Sequence, residues 1–76
     1  MNKRKQLLNR INWDAQDVGM IRLRSEDIGN KLQVRCTKLW KELLNTDNPT
    51  DDLNNRLNIF HNEVESSAKQ TGLYNE

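Results

Sequence analysis

Apolar side chains recur along this chain at intervals of three and four residues, in three stretches separated by two breaks. In the first, about residues 2–24, Leu7, Ile11, Ala15, Val18 and Ile21 share one face of an α-helix. Gly19 inside this stretch costs about 1 kcal/mol against alanine, which leaves room for a bend near residues 18–20. Ser25, followed by Glu26 and Asp27, reads as an N-cap with acids in the first turn, where the helix dipole favours negative charge. The second stretch, about 26–45, places Ile28, Leu32, Cys36, Leu39 and Leu43 on one arc with Trp40 flanking it. Thr46-Asp47-Asn48-Pro49-Thr50 breaks the pattern: Pro49 disfavours helix at Asn48, and Thr50 before Asp51 and Asp52 reads as another N-cap. The third stretch, about 51–71, carries Leu53, Leu57, Phe60, Val64 and Ala68, and Gly72 is placed to close it with Leu73 folding back. No segment alternates apolar and polar residues long enough to propose a strand.

The pattern predicts an all-α fold: three amphipathic helices forming a small helical bundle, with the 46–50 turn short enough to make the second and third an antiparallel hairpin. Residues 1–76 read as one domain with a basic N-terminal arm and a short C-terminal tail. Several apolar residues miss the stripes. Trp13 and Met20, seven apart, point away from Leu7 and Val18, while Val34 and Ile59 stand outside the arcs of their own helices. A chain of this size buries only about 60% of its unfolded surface, and here only 34% of residues are apolar and 5% aromatic. Homodimerisation through Trp13, Met20 and Ile59 is therefore expected to complete the core. The competing arrangement is a first helix broken at Gly19, which would turn Trp13 inward.

The chemistry of catalysis is scarce. His61 is the single histidine, at the edge of an apolar stripe, and reads as a packed or surface residue. Cys36 lies on the apolar arc and reads as a small buried hydrophobe. Together they fall short of the four ligands of a structural zinc site. Gly19, Gly29 and Gly72 form no phosphate loop, Asp47, Asp51 and Asp52 lack the EF-hand spacing, and proline after Asn48 rules out glycosylation there. The chain reads as a non-enzyme without cofactor or metal. No apolar run approaches the roughly 18 residues that span a bilayer, and no signal-peptide segment follows Met1. With a lone cysteine as well, a cytoplasmic location is expected and a membrane partner is not. Small size, eleven asparagines and the lack of catalytic groups suit a phage-like small protein.

The net charge of +1 conceals a polarity. Residues 1–41 hold ten basic against four acidic side chains, a net of +6, and residues 42–76 hold two basic against seven acidic, a net of −5. One explanation is attraction between a basic and an acidic helix within the molecule. Another begins with Arg24, Lys31, Arg35 and Lys38, whose spacing of seven, four and three aligns them beside the apolar face of the second helix. Such a cationic ridge matches the phosphates of a nucleic-acid backbone, and Lys3, Arg4, Lys5 and Arg10 extend it as an N-terminal arm. Of the side chains able to stack on bases, Trp13, Trp40, Phe60 and Tyr74, two look like core, so reading of bases by stacking is not expected.

Residues 25–43 also resemble a DNA-binding helix-turn-helix, with Ile28, Gly29, Leu32, Val34, Leu39 and Leu43 where that motif takes apolar or small residues. Gln33 stands where its turn glycine is expected, and Glu42 at a normally small or apolar position. The resemblance implies a recognition helix bearing Arg35, Thr37, Lys38 and Lys41, whereas an uninterrupted amphipathic helix accounts for the same residues.

Three functional expectations follow. The first is non-enzymatic binding of nucleic acid, with a slight lean to RNA, by Lys3, Arg4, Lys5, Arg10, Arg24, Lys31, Arg35 and Lys38. The second is a protein-interaction module, a small inhibitor or regulator docking an amphipathic face on a larger protein. The third is a helix-turn-helix DNA-binding regulator.

Overall fold

The computed structural model describes residues 2–73, and the segment beyond Leu73, with Tyr74, lies outside it. Three helices follow in order: α1 (Lys3–Arg24), α2 (Glu26–Leu44) and α3 (Asp51–Gln70). Contacts at their ends fix an up-down-up bundle. Arg4 at the start of α1 meets the end of α2, Arg24 at the end of α1 lies beside Gly72, and Arg35 of α2 pairs with Glu63 of α3.

The connections show how local chemistry sets this arrangement. A single extended residue, Ser25, joins α1 to α2. It offers no side-chain cap; its N–H closes α1 on the Ile21 carbonyl at 2.7 Å, and its carbonyl accepts the first α2 bond from Gly29 N–H at 2.9 Å. The reversal is so tight that α2 must cross α1 at Gly29, where a Cβ would stand 2.4 Å from Arg22 Cα. Thr50 caps α3 as the sequence indicates, its hydroxyl oxygen accepting from Leu53 N–H at 3.1 Å. At the other end Gly72 takes φ +80°, and Leu73 N–H donates back to the Ala68 carbonyl at 2.8 Å while its side chain is buried.

The core lies on the axis of the bundle. Its most enclosed side chains are Phe60, Ile11, Ile21, Leu43, Val18 and Val64. The α2 arc turns inward as its spacing requires, with Leu32, Cys36, Leu39 and Leu43 buried and Ile28 packed at the margin. On α1 the stripe needs correction. The residue buried between Ile11 and Val18 is Asp14, and Ala15 is exposed. The helix keeps a four-three-four-three register through Leu7, Ile11, Asp14, Val18 and Ile21, and the apolar alanine falls beside it. α1 also runs unbroken across Gly19, so Trp13 stays outside at 68% exposure. α2 is likewise continuous across Gln33, which removes the turn that a helix-turn-helix over 25–43 requires. Among the described residues no helix is long and apolar enough to cross a membrane.

Candidate interaction surface

Half of the residues assigned to a cationic track, the four arginines, are drawn into the fold. Arg4 is the clearest case. Its Nε donates to the carbonyls of Leu43 (3.3 Å) and Thr46 (2.9 Å), and its Nη2 to that of Leu44 (3.0 Å). These carbonyls lie at and just past the end of α2, at the negative pole of its dipole, where the Leu43 carbonyl also accepts from Thr46 N–H at 3.3 Å, so the guanidinium is a C-terminal cap supplied by another helix. Arg10 is half-buried one turn before Asp14, with its Nη2 enclosed and unpartnered among the described residues. Arg35 stands over the Phe60 ring at 5.5 Å and pairs with Glu63 on α3. Arg24 is engaged as well.

Lysines are treated differently. Lys31 is within 3.8 Å of Asp27 in an ion pair exposed on both sides, which contributes little. Lys3, Lys5, Lys38 and Lys41 are exposed and make no ion pair among the described residues. The ridge on α2 therefore reduces to lysine heads at the surface, while its arginine binds α3. Farther along that helix pair, Arg56 makes a two-pronged contact with Glu42 (2.7 and 2.9 Å) and a third bond to Asp52 (3.0 Å). The guanidinium holds the Glu42 carboxyl below the usual carboxylate range.

A polar cluster that the periodicity did not reveal sits between α1 and α3. His61 Nδ1 lies 2.7 Å from Asp14 Oδ1, and its Nε2 lies 3.1 Å from Glu65 Oε1. Asp14 is only 2% exposed, and burial pushes its carboxyl above the ordinary value despite the pull of His61 and Arg10. Both ring nitrogens are occupied by carboxylates, so the cluster is a clasp between helices. Among the described residues no set of three His, Cys, Asp or Glu side chains is arranged to hold a metal ion. Cys36 is buried, and loss of solvation raises its thiol above the normal range.

The exposed apolar residues divide among faces. Trp13 and Met20 share the outer side of α1, and Ile59 lines a small cleft between α2 and α3 with Arg35, Lys38 and Arg56. The three residues expected to form one contact surface are therefore not brought together. A different surface is larger. A pair of antiparallel helices has two grooves, and α3 fills one of them. Along the other, the positions one residue after the core stripe line up: Leu8, Asn12, Ala15, Gly19 and Arg22 on α1, and Gln33, Thr37, Trp40 and Leu44 on α2. Most of these enclose an open cavity of about 350 Å³, floored by Ile11, Val18 and Cys36. Ala15 and Gly19 keep the α1 wall low, and Trp40 rises opposite at 43% exposure. The sequence signalled the groove through Trp40, which flanks the α2 arc, whereas spacing sets Ala15 on the core stripe itself.

No family model, curated protein or solved structure matches this chain.

Proposed function

We propose that the chain is a non-enzymatic protein-interaction module whose working surface is the groove between α1 and α2. The observation that supports this reading is the open cavity opposite α3, walled by Ala15 and Gly19 on one side and by a half-exposed Trp40 on the other. Trp in a concave, partly apolar site is the type of residue around which binding energy concentrates. Arg4 and Arg35, which would have served a phosphate track, instead tie α1 to α2 and α2 to α3, which favours protein over nucleic acid. A buried cysteine without a disulfide partner suits a cytoplasmic setting.

A nuclease-treated pull-down tests the reading. Ala15→Arg, which fills the groove from an exposed position, should abolish capture of a stoichiometric partner, whereas Lys38→Glu should leave it intact. Retention of the same partner by Ala15→Arg would refute the assignment.

A second reading keeps nucleic acid, with RNA slightly preferred, on the strength of Lys3, Lys5, Lys31, Lys38 and Lys41 facing solvent. It requires affinity for single-stranded RNA, duplex RNA or duplex DNA that falls on the order of tenfold or more between about 50 and 200 mM salt. Lys31→Glu combined with Lys38→Glu should then weaken binding and flatten the salt slope. A second copy, if one binds, would use the exposed pair Trp13 and Met20, and sedimentation of Met20→Lys against the parent checks it.

A further inference from the structure

The groove is not uniform along its length, and its grading bears on what fills it. At the corner end, near Ser25, its walls are polar: Arg22 Nη1 donates to Gln33 Oε1 at 3.1 Å across the groove, and Thr37 lies one turn farther along. Toward the open end, where α1 begins and α2 finishes, Ala15 and Trp40 line the walls with Asn12 beside them, and Leu8 and Leu44 follow in register. Two lysines flank that apolar end. Lys5 precedes Leu8 by three residues on the α1 wall, and Lys41 precedes Leu44 by three on the α2 wall. Both are exposed, and neither has an ion-pair partner among the described residues. Along the two walls the one carboxylate in register is Glu26, at the opposite, corner end. Glu42, on the other side of α2, is already held by Arg56.

From this distribution we infer that the groove takes a single amphipathic helix of a protein partner, its apolar stripe seated between Ala15 and Trp40 and its flanking carboxylates set against Lys5 and Lys41. The inference rests on the docking reading above and adds the chemistry of the occupant. A helix fits because the walls follow the four-three spacing of a bundle interface, so a fourth helix completes the hairpin on the side α3 leaves open. Acidity fits because a carboxylate beside each lysine removes an unpaired positive charge and sets the orientation of the incoming helix. A second copy joined groove to groove or through α3 fits poorly. Groove against groove would bring Lys5, Lys41 and Arg22 of both molecules together, and the outer face of α3 offers Asn55, Asn62 and Ser66 with a single exposed apolar residue, Ile59, beside them.

The test uses the full chain, labelled with ¹⁵N, and three synthetic helical peptides about five turns long. They share one leucine and alanine stripe and differ in flanking residues: glutamate, glutamine or lysine. The glutamate peptide should bind tightest, by roughly fivefold or more over the lysine peptide given two exposed charge pairs. It should also shift the amides of residues 8–19 and 37–44. In Lys5→Glu combined with Lys41→Glu, a change confined to exposed positions, the preference should reverse. Equal binding of the three peptides in the groove would overturn the acidic partner and leave the docking reading standing. Shifts confined to α3, or none with any peptide, would overturn both. Concentration-dependent shifts of the groove amides without peptide would assign the groove to a second copy and overturn the inference.

Discussion

Two helical glycines of this chain should respond in opposite directions to the same substitution. A methyl group at Gly29 would stand 2.4 Å from Arg22 Cα, 2.5 Å from its Cβ and 2.8 Å from its backbone nitrogen, where carbon atoms in good contact lie roughly 3.5–4.0 Å apart. Two of those obstacles are backbone, so no rotamer change relieves the clash. α1 and α2 must separate by on the order of 1 Å at the corner that Ser25 alone spans, which disturbs Ile21 and Leu32 packed behind it. Overpacking of this kind costs about 1–3 kcal/mol, and its upper end applies where only backbone can move. The intrinsic gain of alanine over glycine in a helix, about 1 kcal/mol, offsets part of it. Gly29→Ala should therefore lose about 2 kcal/mol, a fall in Tm of roughly 8–16 °C for a domain of this size. Gly19 has nothing within 4 Å of the same methyl position. Gly19→Ala should gain about 0.5–1 kcal/mol and raise Tm by roughly 2–8 °C. Thermal melts followed by circular dichroism, with urea titrations as a check, measure both. A Gly29→Ala protein as stable as the parent would refute the close crossing, and a destabilised Gly19→Ala would refute a continuous, open α1.

Arg4→Ala should cost about 1–2 kcal/mol by removing the hydrogen bonds that cap α2; urea unfolding measures it, and no loss would show that water serves those carbonyls as well. Thr50→Ala should cost about 1 kcal/mol through the cap on Leu53 N–H, read in the same assay. Burial raises the Asp14 carboxyl in the folded state, so its contribution is fully present below the unfolded value and is lost as pH rises through the folded one. The stability of the parent relative to Asp14→Asn should accordingly decline by urea unfolding as pH rises past the ordinary aspartate value; a rise would mean that His61 outweighs burial. Cys36, enclosed and with a raised thiol, should react with alkylating reagents slowly in the native state and rapidly in denaturant; equal rates would show that the groove floor is open to solvent.

What the sequence disclosed is what local chemistry controls. The three helices, the Thr50 cap, the Gly72 closure and the inward arcs of α2 and α3 depend on spacing within a few turns. Features resting on partners far along the chain stayed hidden. Asp14 takes a core position that periodicity gave to Ala15 because His61, 47 residues away, meets its carboxylate. Arg4 looked like a free basic arm because the carbonyls it caps lie 39 to 42 residues downstream. Part of the charge polarity is likewise internal: Arg35 with Glu63 joins the basic half to the acidic half. The groove was half visible, since Gly19 and Trp40 lie off the main stripes, but only the antiparallel pairing of α1 and α2 sets Trp40 opposite Ala15 and Gly19.

The groove between α1 and α2 is the face proposed to meet a partner. Photo-crosslinking in cells addresses this directly, with a photoreactive residue placed either at Asn12 on the groove wall or at Asn62 on the outer face of α3, both exposed. A discrete, nuclease-resistant protein adduct is expected from position 12 and none from position 62. Adducts from position 62 alone, or nucleic acid captured from position 12, would contradict that assignment.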